Sequence, residues 1–460
     1  MPQYHELTDE LLQRIEAIFG ENNVISQPER FEQYETDGSG VRFKPDLVVK
    51  AQNARQVSEL LKLANEFRFP VTPRGGGTGL AGGCLPIQGG VVLTLEDMNR
   101  VRSIDKTNLI GEVEPGVITQ RFREAVRSQG LFYPPDPAGM DKSTLGGNAA
   151  TNAGGPACVK YGTTKDYILG LEAVLPSGQI IKTGVKTRKG VVGYDLTHLL
   201  VGSEGTLGVI TSLTFKLIPH PPAVKGITAV FPALNTTMRA VTEILTRGHL
   251  PSAMEFLDHK CLALVGEMLP FEIPGDKASL LIVEVDGVAE QIGREIELIG
   301  DICKEVGASA LLPALTEEGR VRMWEVRRQV SLRIKEQAIL YMPEDVAVPI
   351  GRISELVDAL AKLEEEYSLR IFAFGHAGDG NIHLSIDARR PEEAGKVEEG
   401  VRAALSLALQ MDGTISGEHG IGSAKKRFLP MEIAPESVEL QRGIKKLFDP
   451  NMILNPGKLF

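Results

Sequence analysis

Pro73-Arg74-Gly75-Gly76-Gly77-Thr78-Gly79-Leu80-Ala81-Gly82-Gly83-Cys84-Leu85-Pro86-Ile87-Gln88-Gly89-Gly90 is the stretch on which the reading of the fold turns. Gly77 to Gly82 satisfies the GxGxxG pattern of a dinucleotide fold, and Asp97 stands at a tempting interval downstream. In that fold a helix must begin inside the motif, so that its N-terminus meets the pyrophosphate. Here the chain runs through Cys84, Pro86 and Gly89-Gly90 straight into an apolar strand, Gly90–Leu95, with no room for that helix. The loop reads instead as a nest, a run of backbone N–H groups freed of side chains that binds phosphate without a helix. Arg74 stands beside it.

Working outward, Pro45–Lys50 and Pro70–Pro73 read as strands around a helix, Ala54–Phe67, with Val57, Leu60, Leu61 and Leu63 along one face. Before them Thr8 caps a short amphipathic helix (Leu11, Leu12, Ile15, Ile18, Phe19) that stops at Gly20. After them short strands (Leu169–Leu175, Gln179–Thr183, Leu207–Leu217) alternate with glycine loops as far as Pro222. Those loops are Ser143–Asn148, Thr151–Gly155, Tyr161–Thr163 and Gly202–Gly208. Each is weak alone. Together they point to one long ligand, of dinucleotide size, threaded across several backbone turns.

The texture changes near His220-Pro221-Pro222. Amphipathic helices around Thr236–Arg247, Gln291–Val306, Gly319–Ala338, Ile353–Glu366 and Glu392–Met411 then alternate with single strands, Gly226–Phe231, Ser279–Val285 and Leu369–Gly375. That pattern predicts an α+β domain with one antiparallel sheet. At 460 residues two domains are expected.

Composition narrows the class. The chain is 42% hydrophobic and 24% charged, with a net charge of -10, which disfavours nucleic acid or an anionic membrane surface as partner. No apolar run reaches the ~20 residues of a transmembrane segment, and Met1–Glu10 is polar and acidic, unlike a secretory signal. Cys84, Cys158, Cys261 and Cys303 are scattered without a CxxC pair, so no iron–sulfur cluster or zinc ribbon is expected in this chain. A reducing cytoplasm is the expected location.

The chemistry gathers late in the chain. Three of the eight histidines lie between Phe374 and Gly422, in His376-Ala377-Gly378-Asp379-Gly380-Asn381-Ile382-His383 and Gly417-Glu418-His419-Gly420. Two imidazoles on one tight glycine turn and a Glu-His pair between glycines read as a divalent-metal site with a base beside it. Asp379 reads as a turn residue rather than a ligand.

Taken together, Pro73–Gly79, Pro134–Pro137, Ser143–Asn148, Asn152–Gly155 and Gly202–Gly208 resemble the FAD-binding domain of the vanillyl-alcohol-oxidase type. With His376–His383 and Glu418-His419 added, the chain from about Tyr34 to Leu459 is similar to the FAD-linked D-2-hydroxy-acid dehydrogenases. That group includes D-lactate dehydrogenase, the catalytic subunit of glycolate oxidase and D-2-hydroxyglutarate dehydrogenase. The resemblance implies an α+β protein. Its parts are a two-lobed FAD-binding domain (1–222), an α+β cap domain with an antiparallel sheet (223–415) and a C-terminal segment returning to the flavin (416–460).

The resemblance also assigns residues. The phosphate loop would be Arg74, Gly75, Gly76, Gly77, Thr78 and Gly79. The second loop and flavin-facing turns would use Pro135, Asp136, Pro137, Ser143, Gly146, Gly147, Asn148, Asn152, Gly154 and Gly155. Ribose and adenine contacts fall on Gly205–Ile210, including Gly205, Gly208 and Ile210, and Glu204 and Asn455 are counted among the cofactor-binding residues. Covalent members carry a histidine in or near the first loop; Thr78 stands there, so non-covalent FAD is expected.

Oxidation of a 2-hydroxy acid requires loss of a poorly acidic hydroxyl proton, which a divalent cation makes easier and a positioned histidine can accept. The family ligands match His376, His383 and Glu418, and its base matches His419. On extended backbone, neighbouring side chains point to opposite sides, so Glu418 would face the metal and His419 the substrate. Zn, Mn, Fe and Co all suit such N/N/O ligation. Arg327 matches a family arginine that grips the substrate carboxylate.

D-2-hydroxyglutarate enzymes carry a lysine where Pro343 stands and an asparagine at Ser385. The expected substrate is therefore a small 2-hydroxy monocarboxylate, D-lactate or glycolate. D-2-hydroxyglutarate oxidation, or service as the flavin-carrying subunit of a larger redox complex, stands as the alternative. Electrons would leave through an electron-transfer flavoprotein, an iron–sulfur subunit or a quinone-linked subunit. The location would be cytoplasmic, or peripheral to a membrane redox complex.

Overall fold

The computed structural model describes residues 4–460, so the first three positions of the expected domain 1–222 lie outside it. Two compact units are present. The first contains the chain up to Gly154, Thr163–His220 and His419–Phe460; the second contains Gly155–Gly162 and Pro221–Glu418. Breaks thus fall after His220 and Glu418, beside the expected 222/223 and 415/416, and the short excursion Gly155–Gly162 joins the second unit.

In the first unit the capped helices form as the periodicity requires. The Thr8 hydroxyl accepts the Leu11 N–H at 3.3 Å and opens Asp9–Phe19. Asn53 accepts from Gln56 N and opens Ala54–Phe67, whose Val57, Leu60, Leu61 and Leu63 are buried. Those side chains share an apolar cluster with the strands Leu47–Lys50, Val91–Thr94 and Val71–Arg74, which run parallel. Val24–Ile25 adds an antiparallel edge to this four-stranded sheet. All of Val91–Thr94 is buried, the run of apolar residues expected of a parallel strand covered on both faces. No helix forms between Arg74 and Val91. That is the structural reason the GxGxxG match is not a Rossmann site.

A second, antiparallel sheet of five strands follows in the same unit, ordered Val101–Asp105, Ile110–Val113, Val209–Lys216, Ile168–Val174 and Ile180–Gly184. Within the stretch read as the glycine loop Ser143–Asn148, a short helix begins, Leu145–Thr151. Thr144 accepts the Gly147 N–H at 3.2 Å, and a threonine cap stabilises by about 1 kcal/mol, against a similar cost for each glycine.

The second unit is built on a seven-stranded antiparallel sheet, ordered Ala310–Ala314, Ala223–Phe231, Ser279–Gly287, Ala253–Leu257, Leu369–His376, Asn381–Ala388 and Met342–Ala347. Its long helices are Leu234–Thr246, Ala289–Val306, Glu317–Gln337, Ile353–Tyr367 and Val397–Gln410. The helix expected over Glu392–Met411 is preceded by a separate 3-10 turn, Pro391–Lys396. One sequence expectation is revised here. His376 and His383 do not share a glycine turn; they lie on paired strands, with His376 opposite Asn381 and His383 opposite Phe374.

Candidate active site

In the second unit the strand ladder places a carboxylate directly across from each of two histidines. Glu255 is the register partner of His376 on one side, and Asp345 that of His383 on the other. Directly opposed residues hold their Cβ atoms roughly 4.5–5.5 Å apart, close enough for side chains to bond. Glu255 Oε1 pairs with His376 Nδ1, which leaves Nε2 of the same ring to face the other donors. Glu255 and Asp345 are both fully buried at 0% exposure, and neither was singled out from the sequence.

Glu418 arrives from the segment after Val397–Gln410. Asp345 aims it: its Oδ2 accepts the Glu418 N–H at 2.6 Å and its Oδ1 the Ser416 hydroxyl at 3.1 Å. A Cβ on Gly417 would stand 2.3 Å from Asn381 Oδ1, so any larger residue there would have to displace the Asn381 amide. The backbone at Glu418 and His419 is bent, not the extended run assumed from the sequence.

Three donor atoms converge. His376 Nε2 and His383 Nε2 are 3.3 Å apart, and Glu418 Oε1 lies 3.6 Å from the first and 3.5 Å from the second. A tetrahedral site with bonds of ~2.0–2.1 Å has edges of ~3.3–3.4 Å. The trio fits a divalent cation in both donor chemistry and spacing. Among the described residues it is the one group of histidine, cysteine and acid side chains that does so.

The electrostatics fit a cation as well. Burial opposes charge on His376, but Glu255 and Glu418 outweigh it and hold its pKa well above the imidazole range. Burial alone would raise the Glu255 carboxyl, yet His376 and Arg327 bring it to about 2. Burial pushes Asp379 up to about 6, partly offset by His376 and by the Asn381 N–H it accepts at 3.1 Å. That bond closes the hairpin turn, the part expected of Asp379.

Arg327, on the helix Glu317–Gln337, donates from Nε to Glu255 Oε2 at 2.7 Å, and its guanidinium lies 4.5 Å above the Phe374 ring. Among the described residues none accepts from its two terminal nitrogens. Glu255 therefore ties the expected metal ligand and the expected carboxylate clamp to one side chain.

The remaining expected site residues belong to the first unit, except Gly155. The glycine loop lies on 142–147: a Cβ on Gly76 would stand 2.3 Å from Lys142 O. Among the described residues none accepts a hydrogen bond from the backbone N–H groups of Gly75 through Gly79. Such a fan fits the diphosphate of a dinucleotide. A cavity of about 390 Å³ opens at Gly75-Gly76, with Arg121 and Lys142 on its rim and Glu96 and Asp141 as acidic members.

Arg74 lies against the nest: its Nη2 stands 2.1 Å from where a Cβ on Gly77 would sit. It donates to Gln33 O at 2.6 Å, Thr36 O at 2.8 Å and Cys84 Sγ at 3.2 Å, bracing the strand end beneath the loop. Several other expected residues also bond within the protein. Ser143 Oγ and the Asn148 amide both meet Thr119 Oγ1, at 2.9 and 2.7 Å. Asn152 Oδ1 accepts from Thr163 Oγ1 and Lys165 N. The Asn455 amide donates to Gly83 O and Glu204 O, and Pro135 O accepts from Arg123. His419 opens the last piece of the first unit and is half-buried.

Residues 45–184 match the family described as FAD binding domain, and residues 220–459 that described as FAD linked oxidases, C-terminal domain. The glycolate oxidase subunit GlcD of Bacillus subtilis (strain 168) is 40% identical across 95% of each chain. A D-lactate dehydrogenase of Anaerostipes hadrus is 36% identical over 99% of this chain and 98% of that protein. One from Archaeoglobus fulgidus is 40% identical over 90% and 91%. Among solved structures, p-cresol methylhydroxylase with substrate bound superposes with a TM-score of 0.81, at 19% identity, over 98% of this chain and 96% of that one. No helix of the described residues is long and apolar enough to cross a membrane.

Proposed function

We propose, on the premise that this chain belongs to the FAD-linked oxidases and is an FAD-dependent oxidoreductase, that it oxidises a small D-2-hydroxy acid to the 2-oxo acid. The observation that carries the reading is the convergence of His376, His383 and Glu418 at 3.3–3.6 Å, with Arg327 joined to the same cluster through Glu255. When bound, FAD supplies a two-electron acceptor and a divalent cation on those three donors supplies Lewis acidity.

The chain's own residues do the rest. Arg327 offers two terminal nitrogens in a planar fork, the geometry that grips a carboxylate at two points. Glu255 holds that fork and the His376 ring in fixed orientations. His419 accepts the substrate hydroxyl proton. The nest Gly75–Gly79 receives the diphosphate of non-covalent FAD, Thr78 standing where a covalent attachment needs histidine.

Substrate size follows from one spot in the sheet. Pro343 and Ser385, the two departures from the D-2-hydroxyglutarate pattern, are register partners on adjacent strands. Ser385 is buried, two residues along from His383. No cation from either position meets a second carboxylate there, which favours D-lactate or glycolate. Relatives bearing the names D-lactate dehydrogenase and glycolate oxidase subunit GlcD support that class. Reduced flavin would pass its electrons to a protein redox partner or a diffusible acceptor.

Anaerobic stopped-flow mixing of the metal-loaded holoenzyme with D-lactate, L-lactate, glycolate, D-malate and D-2-hydroxyglutarate tests this. Rapid bleaching by D-lactate or glycolate is expected. Bleaching by D-2-hydroxyglutarate alone overturns the monocarboxylate assignment, and bleaching by none overturns the reaction.

A further inference from the structure

Glu204 is a buried carboxylate of the first unit, 7% exposed, which the reaction above does not use. The resemblance counts it among the cofactor-binding residues, and its two carboxylate oxygens are engaged by the protein's own backbone. Oε1 accepts the Ile421 N–H at 2.8 Å and Oε2 the Gly422 N–H at 2.7 Å, so both oxygens hold one turn of backbone. That turn starts one residue after His419.

Glu204 is itself held from several sides. Its backbone is left-handed, φ 51°, a conformation that a side chain with a Cβ adopts only where its surroundings fix it. Its N–H donates to Ala150 O at 2.8 Å, and its carbonyl accepts the Asn455 amide at 2.7 Å. The neighbouring turn leaves no slack: a Cβ on Gly420 would lie 2.9 Å from Glu204 Oε1. Gly420 and Gly422 both have positive φ, 81° and 51°, as a chain folded tightly around an acceptor requires.

We propose that Glu204 is a positioning residue, whose carboxylate clamps the Gly420–Gly422 turn so that His419 meets the substrate in one fixed orientation. This rests on His419 being the base. Charge-assisted bonds to backbone N–H are about twice as strong as neutral ones, and a carboxylate alone among side chains of this length offers acceptors at both ends. Glutamine keeps the shape but turns one end into a donor facing another N–H. The burial that raises the Glu204 carboxyl is opposed by those same two N–H groups and by Lys458.

The test compares Glu204→Gln and His419→Ala with the parent holoenzyme, measuring FAD content, the saturating rate of flavin reduction, the substrate concentration at half-saturation, and amide hydrogen exchange at Ile421 and Gly422. For Glu204→Gln the expected result is full FAD content, unchanged half-saturation, faster exchange at the two amides, and a reduction rate at least ~10-fold slower, the loss of about one charged hydrogen bond. Loss of FAD with normal reduction in the remaining holoenzyme makes Glu204 a cofactor contact and overturns the proposal. So does a normal rate in Glu204→Gln beside an inactive His419→Ala, which leaves the base assignment intact. A normal rate in His419→Ala removes the base, and the clamp's purpose with it. If Glu204→Gln does not fold, Gly420→Ala disturbs the contact from the other side. It should keep FAD and slow reduction; normal reduction again overturns the proposal.

Discussion

Replacing Glu255 with glutamine probes the junction on which the second unit's site is built. The side chain is fully buried, and its two oxygens serve two partners, His376 Nδ1 and Arg327 Nε. Glutamine keeps the volume and one acceptor but removes the charge. Arg327, whose side chain is 13% exposed, is then a nearly buried cation with its counter-ion gone. Breaking a buried pair from one side costs about 3–5 kcal/mol, and the retained acceptor places this case near the lower figure.

The imidazole also loses the carboxylate that orients it. Removing such a partner weakens metal affinity ~10–100-fold, which is about 1.4–2.7 kcal/mol. Equilibrium dialysis against Mn²⁺ or Zn²⁺ with elemental analysis reads the second effect, and thermal denaturation of metal-free protein reads the first. The expected outcome is a metal Kd raised at least ~10-fold, a lower Tm, and full FAD content. A glutamine variant that holds metal as tightly as the parent refutes the claim that Glu255 supports His376. An unchanged Tm refutes the pairing with Arg327.

Two further outcomes are expected. Gly76→Ala forces a Cβ to 2.3 Å from Lys142 O, so the N–H fan must distort and the purified protein should lack visible flavin absorbance; a fully yellow variant contradicts the nest. Lys458 is 4% exposed, and burial lowers its pKa to about 8 despite nearby Cys84 and Glu204. Below that value both states carry the proton and burial of the charge costs stability. Between about 8 and 10.5 the unfolded chain keeps a proton that the folded one has released, so stability rises with pH by up to ~1.36 kcal/mol per unit. Lys458→Met should abolish that rise, and parallel melting curves for parent and variant over this range would discount it.

Much of the scaffold was legible because its local signals agree. Asn53 as a cap and Val57, Leu60 and Leu61 on one face mark a helix whatever surrounds them. The absence of a helix after Gly79 followed from spacing alone. The strand Asn381–Ala388 was harder. Ile382, Leu384 and Ile386 alternate with polar residues in a clean period of two, but the glycines of the turn before it drew the reading toward a loop. His383 on it and His376 on the paired strand could be recognised, whereas their distance from one another could not, because register is a property of the ladder.

Glu255 shows the deeper limit. A single acid in the buried strand Ala253–Leu257 belongs to no motif, and its partners lie 72 and 121 positions away in sequence. The one available signal was physical: a carboxylate among Met254, Phe256 and Leu257 must find compensating charge somewhere. Glu204 shows another limit, since a glycine-rich motif points to a ligand but does not reveal that the carboxylate also accepts the Ile421 and Gly422 N–H groups. Arg74, read beside the phosphate nest, lies against Gly77 and also holds the carbonyls of Gln33 and Thr36.

The return of the chain's tail to its first unit has a consequence for synthesis. Ile453 and Leu454 belong to the same apolar cluster as Leu60 and Val91, and Val71 exchanges hydrogen bonds with Ile453 and Asn455 at 2.8 Å. The unit made first thus lacks part of its interior until Ile453 and Leu454 leave the ribosome. At ~5–20 residues per second, the intervening second unit imposes a wait of roughly ten to fifty seconds. Through that interval the nascent parallel sheet has an uncovered apolar edge, the kind of surface through which an incomplete domain aggregates.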